Sequence, residues 1–149
     1  MEHSKYGDDF NIGDIYTTAA ITMTEAHVVS WAGLTMDFYP LHMDKEYAAK
    51  TQFGERLVHG PLIFAMAVGL VSSAGFAGDA AVAWLGVDNM KMLAPVKIGD
   101  TITALVEVIE KQPTSKSGKG IQIWRYTVKN QKKEDVMVFD YKMMFHMRG

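Results

Sequence analysis

Gly60-Pro61-Leu62-Ile63-Phe64-Ala65-Met66-Ala67-Val68-Gly69-Leu70-Val71 carries no charged side chain and no polar face. Proline is favoured at a helix start, where its missing N–H would have no intrahelical partner anyway. The stretch is therefore predicted to be a helix that begins beside Gly60. A helix apolar all round needs cover on every side. In a chain this short, a sheet has to wrap around it.

The flanks supply that sheet. Upstream, Ile15 to Thr22 is β-rich and reads as a first strand. Thr22 or Thr24 can cap a helix running to about Leu34, and Thr22 with Glu25 fits a capping box. Asp44 is a plausible N-cap for a short helix from Lys45 to about Thr51, with Gly54 beyond its end. Downstream, strands are expected over Ala81–Met92, Thr101–Glu110, Ile121–Asn130 and Val136–Met147. A hairpin loop, Gln112 to Gly120, separates two of them. In the third run, Ile121, Ile123 and Tyr126 alternate imperfectly with Gln122 and Arg125. Strands that follow helices argue an α+β fold with an antiparallel sheet of five strands. Counting elements alone also allows other α+β layouts.

Composition narrows the function classes. The 149 residues fit one domain, 1–149, and 48% apolar with 21% charged is ordinary globular usage. Fifteen Lys+Arg against 17 Asp+Glu, a net charge of −2, offer no general attraction for nucleic acid or an anionic membrane. The absence of cysteine excludes disulfides, thiolate metal sites and cysteine nucleophiles. Met1 to Phe10 has acids and no apolar h-region, so no signal peptide is expected. The longest apolar run falls short of the ~20 residues of a spanning helix. A soluble, cytoplasmic protein is the expectation.

Two segments could carry chemistry. In Asp37-Phe38-Tyr39-Pro40-Leu41-His42-Met43-Asp44 a proline separates a carboxylate from a histidine, which a rigid loop could converge on one point for proton transfer. The same spacing fits Asp37 capping a turn and His42 packing in the core. In Phe53-Gly54-Glu55-Arg56-Leu57-Val58-His59-Gly60-Pro61, free N–H groups at the helix start could hold an anion or a developing oxyanion. A plain loop, with His59 as a structural hydrogen-bonder, fits too. His3, His27 and His146 lack partners at metal-ligand spacing, so no metal site is expected.

Together, Asp37-x-x-Pro40-Leu41-His42-x-Asp44, Ala48-Ala49 and Phe53-Gly54-x-x-Leu57-Val58-His59-Gly60 resemble the hydratase motif of the MaoC-like family of (R)-specific enoyl-CoA hydratases and dehydratases. Pro95-Val96-x-x-Gly99-Asp100 resembles that family's turn between strands. The likeness runs from about Ile15 to the end and is densest over Trp31–Gly69. It implies a single hot-dog fold, a homodimer or higher oligomer, and an acyl-CoA thioester substrate bound between subunits. It also implies Asp37 and His42 as the acid/base pair and Gly60 as the donor to the thioester oxygen. No cofactor is implied beyond the coenzyme A of the substrate. The implied activity is a hydro-lyase one, hydration of trans-2-enoyl-CoA to (R)-3-hydroxyacyl-CoA or the reverse dehydration. This chain departs in having Met36 before Asp37, where many members have glycine, and Tyr39 where many have asparagine. The position of a supporting serine in the buried helix is taken by Ala65, Val68 or another apolar residue. Two other readings stand beside this one. A hot-dog acyl-CoA thioesterase would not need His42, and a non-catalytic acyl-CoA-binding protein would need neither member of the pair.

Overall fold

The computed structural model describes residues 2–149. A single 3-10 turn, Gly7–Asp9, precedes short strands β1 (Ile15–Thr17) and β2 (Ile21–Thr22). Helices α1 (Glu25–Thr35), α2 (Pro40–Met43), α3 (Lys45–Ala49) and α4 (Gly60–Ala74) follow. The long strands are β3 (Ala81–Met92), β4 (Thr101–Pro113), β5 (Lys119–Lys129) and β6 (Asp135–His146). The sheet is six-stranded, in the order β1-β4-β5-β6-β3, with β2 also on β4. Every pairing is antiparallel. This is the expected hot-dog arrangement, and β3 spans the residues read from the sequence.

The first strand, expected as one piece, is broken at Thr18. The Thr18 side chain stands in for a ladder acceptor: its Oγ1 accepts from Ala104 N–H at 3.0 Å while Thr18 N–H donates to Ala104 O at 2.9 Å. Thr24, not Thr22, is the N-cap of α1. Its capping box is closed by His27, whose Nδ1 accepts from Thr24 N–H at 2.9 Å. Asp44 caps α3 as expected, accepting from Glu46 and Tyr47 N–H.

The core lies between α4 and the concave face of the sheet. Ile102, Ala104, Val106 and Val108 of β4, Trp124 and Val128 of β5, and Phe139 and Phe145 of β6 are fully buried. Strand β5 buries Tyr126 and exposes Arg125 as read, but its first half faces the other way. Gln122 points inward and is 1% exposed, while Ile121 and Ile123 are only half-buried. The buried amide is satisfied on both ends: its Nε2 donates to Gly7 O at 2.7 Å and its Oε1 accepts from Trp124 Nε1 at 2.9 Å. Burying a polar group is tolerable only with such partners.

The sheet does not enclose α4. Leu62, Ile63, Ala67 and Val71 are buried, but Pro61 and Gly69 are exposed and Phe64, Met66, Val68 and Leu70 are half-buried. One chain therefore covers only part of the helix that was expected to be wrapped on every side. Strand β3 ends the sheet order and exposes Trp84, Leu85, Met90 and Met92 beside this open flank.

On β5 and β6, Arg125 lies directly across from Asp140 and binds it through Nε at 2.8 Å and Nη2 at 3.1 Å. Asn89, in the left-handed region at φ 54° in a β3 irregularity, donates to the same carboxylate at 2.9 Å. These bonds, Arg125 foremost, hold the Asp140 carboxyl below the usual range despite its burial. The unfolded chain thus takes up this proton at higher pH than the folded one. The stabilisation is present above the unfolded carboxylate range and lost as pH falls through the lowered folded value. Asp140→Asn is expected to remove about 1–2 kcal/mol at pH 7, which is roughly 2–8 °C in melting temperature. The gap between variant and parent should close at acid pH, and an equal gap at both pH values would refute the assignment.

Candidate active site

Helix α1 ends with Met36 at φ 65°, a left-handed conformation that glycine adopts freely and methionine does not. The sharp exit aims the chain into Asp37, whose Oδ1 accepts from Tyr39 N–H at 3.3 Å. Tyr39 is extended before the proline, at φ −55° and ψ 132°. Pro40 ends the extended piece and opens a helix. It occupies the first position of α2, where its missing N–H is harmless, and places His42 on a single helical turn.

His42 is held at three points. Its N–H donates to Tyr39 O at 2.9 Å, its carbonyl accepts from Arg56 Nε at 2.7 Å, and its ring Nδ1 lies 2.8 Å from Leu57 O. A carbonyl can only accept, so Nδ1 carries the proton and Nε2 keeps its lone pair. Arg56 also reaches Glu25 on α1 at 2.7 Å. Arg56 and the Leu57 carbonyl were not singled out in the sequence. Their partners lie far along the chain, and no local pattern marks such contacts.

Residues Leu57 and Val58 run beside Val96 and Lys97, with Val58 N–H on Val96 O at 2.8 Å. They deliver His59 as the N-cap of α4 and Gly60 as its first residue. Among the described residues, Gly60 N–H has no hydrogen-bond partner. It sits at the positive end of a 15-residue helix dipole. A Cβ on Gly60 would touch only Met92, with Sδ at 3.7 Å, and the backbone φ is not left-handed. Neither strain nor crowding therefore demands glycine there. What the missing side chain provides is open space in a groove of 370 Å³ lined by His42, Phe53, Leu57, Gly60 and Met92. A second groove of 450 Å³ continues from Gly60 past Phe64, Trp84, Met90 and Met137.

One carboxylate oxygen of Asp37 and one ring nitrogen from each of His42 and His59 lie within 4.8 Å of one another. The three residues read from the sequence, Asp37, His42 and Gly60, thus meet at one end of α4. His59 joins them. Its ring is fully buried, stacks on His42 with centroids 3.9 Å apart, and points Nε2 at Asp37 O, 3.0 Å away. Its Nδ1 has no hydrogen-bond partner among the described residues. An unpaired buried acceptor costs about 1–3 kcal/mol. Burial, the largest influence, pushes His59 below the ordinary histidine range, with the neighbouring His42 acting in the same sense and the bond to Asp37 opposing. The ring is neutral near pH 7.

Each histidine of the trio spends one ring nitrogen on a carbonyl. Among the described residues, no helix is long and apolar enough to cross a membrane.

Comparison with known proteins identifies the family. The family described as "MaoC like domain" matches residues 9–130. Protein MaoC of Klebsiella aerogenes is 42% identical over 98 residues, which is 66% of this chain and only 29% of that protein. An (R)-specific enoyl-CoA hydratase of Rhodospirillum rubrum is 34% identical over 111 residues, 74% of each chain. A solved structure described as a monoamine oxidase regulatory protein from Archaeoglobus fulgius superposes with a TM-score of 0.92 at 34% identity, covering 97% of this chain and 96% of that one. The chain belongs to the MaoC-like dehydratase domain family.

Proposed function

We propose that this chain adds water across trans-2-enoyl-CoA to give (R)-3-hydroxyacyl-CoA, or runs the reverse dehydration. One observation carries the reading: an acid and a base share one small volume beside an unbonded helix-start N–H that opens onto a groove. Relatives named as (R)-specific enoyl-CoA hydratases and as a 3-hydroxybutyryl-CoA dehydratase support it.

The thioester oxygen accepts from Gly60 N–H, where the α4 dipole stabilises the negative charge that develops as the enolate forms. Asp37 and a histidine nitrogen lie within 4.8 Å of one another with no direct hydrogen bond between them, an arrangement that one water bound to both can fill. With Nδ1–H committed to Leu57 O, His42 offers Nε2 as acceptor, and the carbonyl stabilises the imidazolium when it forms. Water attacks C3 and gives one proton to the pair, and the pair returns one proton to C2. Its net protonation is unchanged after each turnover. The hydrogen-bonded Leu57 and Arg56 contacts orient His42 without a serine in the Gly60–Val71 stretch of α4. No metal or redox group enters these steps.

A second copy of the chain completes the site in this reading. The open flank of α4 and edge strand β3 present Trp84, Leu85, Met90 and Met92 around the grooves that meet Gly60. An apolar sheet edge left bare would recruit another chain indiscriminately. A symmetric homodimer covers it specifically.

Incubation with crotonyl-CoA tests the activity. The expected product is (R)-3-hydroxybutyryl-CoA with no free coenzyme A; release of coenzyme A would instead mark a thioesterase, and binding without turnover a carrier. Sedimentation at micromolar concentration should give at least a dimer. A monomer there would sink the shared-site reading.

A further inference from the structure

His59 occupies the N-cap of α4 yet makes no capping bond with its side chain. Residues that serve as caps are Ser, Thr, Asp or Asn, whose short oxygens reach the first free N–H groups. Nor is His59 there for packing alone. It is 0% exposed with one nitrogen unpartnered, a penalty that an aromatic hydrocarbon of similar size would avoid. What the imidazole does offer is a single directed bond, Nε2–H to Asp37 O at 3.0 Å, and a flat face 3.9 Å from His42. Asp37 lies 22 residues earlier in the chain, so this bond closes a long loop onto the helix start. The peptide that follows His59 carries the Gly60 N–H. One residue thereby touches the backbone of the acid, the ring of the base and the donor for the oxyanion.

We propose that His59 is a positioning residue that sets Asp37 and His42 in register with Gly60. The proposal rests on the hydratase reading given above. The bond fixes the depth at which the Asp37 loop sits over α4, and the stack fixes the plane in which His42 Nε2 points. A neutral ring suits both tasks: a charge on His59 would oppose the proton that His42 takes up in each cycle. The desolvation of its site works in that direction. Small displacements of acid/base groups are expensive in rate, since an error near 1 Å can slow a reaction by on the order of 10²-fold.

Two substitutions separate positioning from stability. His59→Phe keeps the stacking face and removes both the bond to Asp37 and the unpaired nitrogen. It should lower kcat for crotonyl-CoA hydration by roughly 10–100-fold, with KM within about 3-fold and the melting temperature unchanged or higher. His59→Gln can again present an N–H to Asp37 O and should recover to within about 5-fold of the parent rate. Long-range 1H–15N spectra at pH 7.5 read the same contact without turnover. In the parent, His59 should appear as the neutral Nε2–H form and His42 as the Nδ1–H form. In His59→Phe, the His42 Nδ1–H signal should broaden or the two tautomers mix. Full activity of His59→Phe, or a rate loss that tracks melting temperature and is not rescued by glutamine, would overturn the proposal. If the parent fails to hydrate crotonyl-CoA, the hydratase reading falls. The His42 spectrum of His59→Phe then still decides the positioning claim, and an unchanged spectrum rejects it.

Discussion

Asp37→Asn and His42→Ala should each slow hydration of crotonyl-CoA by about 10²–10⁴, the usual scale for a positioned acid or base. The double variant should be far less damaged than the product of the two losses if both groups act on one water, as proposed. The geometry motivates this non-additivity: a carboxylate oxygen and a ring nitrogen within 4.8 Å can share a single bridging molecule. Neither change should unfold the protein. Asp37 contributes one long bond at 3.3 Å to its own loop, and His42 is only half-buried. A thioesterase gives a different pattern, with coenzyme A release abolished by Asp37→Asn and nearly indifferent to His42→Ala. A packing role gives a third, with rate and melting temperature falling together. Kinetics and thermal melts on the three variants discriminate among these outcomes, and a hydration rate indifferent to His42→Ala would falsify the shared-water mechanism.

Local chemistry was legible in the sequence wherever the deciding partner lay close by. Asp44 caps α3 with contacts two and three residues on, and the apolar run after Gly60 forms α4. Where two local solutions competed, the nearer reading failed. Thr22 with Glu25 satisfies the capping-box spacing, but Glu25 turns to Arg56, 31 residues away, and His27 closes the box on Thr24. Thr18 breaks the first strand through a bond to Ala104, 86 residues distant, which no β-propensity records. Gln122 is buried because Gly7 and Trp124 satisfy it, so Ile121 and Ile123 fall on the other face while Trp124, Tyr126 and Val128 stay inward.

The site shows the same division. Asp37, His42 and Gly60 could be picked out because their residue types suit the chemistry and their spacing forms a motif. The groups that aim them could not. Leu57 acts through a carbonyl that every residue possesses, and Arg56 through a bond to the backbone of His42. His59 stood in plain view beside Gly60 and was compatible with a structural role, since its bond to Asp37 exists only in the folded chain. The strain at Met36 was equally hidden. A methionine before Asp37 reads as a departure in composition until its left-handed φ of 65° shows why that position favours glycine. The reading of α4 erred for another reason. Its apolar surface calls for cover on all sides, and a single copy of the chain supplies only one of them.

Gly60→Val should lower hydration turnover by about 10²–10³, the range seen when one oxyanion donor is lost. The N–H itself survives this substitution, so the effect comes from access. The new side chain would project toward Met92, across the place where the two grooves meet. A thioester oxygen then cannot reach the 2.7–3.1 Å that an effective donor requires. Binding suffers as well as turnover, because the groove holding the thioester is the one being filled. Gly60→Ala, smaller by two methyl groups, should be milder in both respects. Stability sets the control. The first added carbon meets Met92 Sδ at 3.7 Å, an ordinary contact, and glycine is not required here by a positive φ. Melting temperatures of both variants should therefore stay close to the parent's. Normal hydration by Gly60→Val would remove Gly60 from the oxyanion site, whereas a graded loss from alanine to valine at constant melting temperature is the signature of a blocked approach to the helix start.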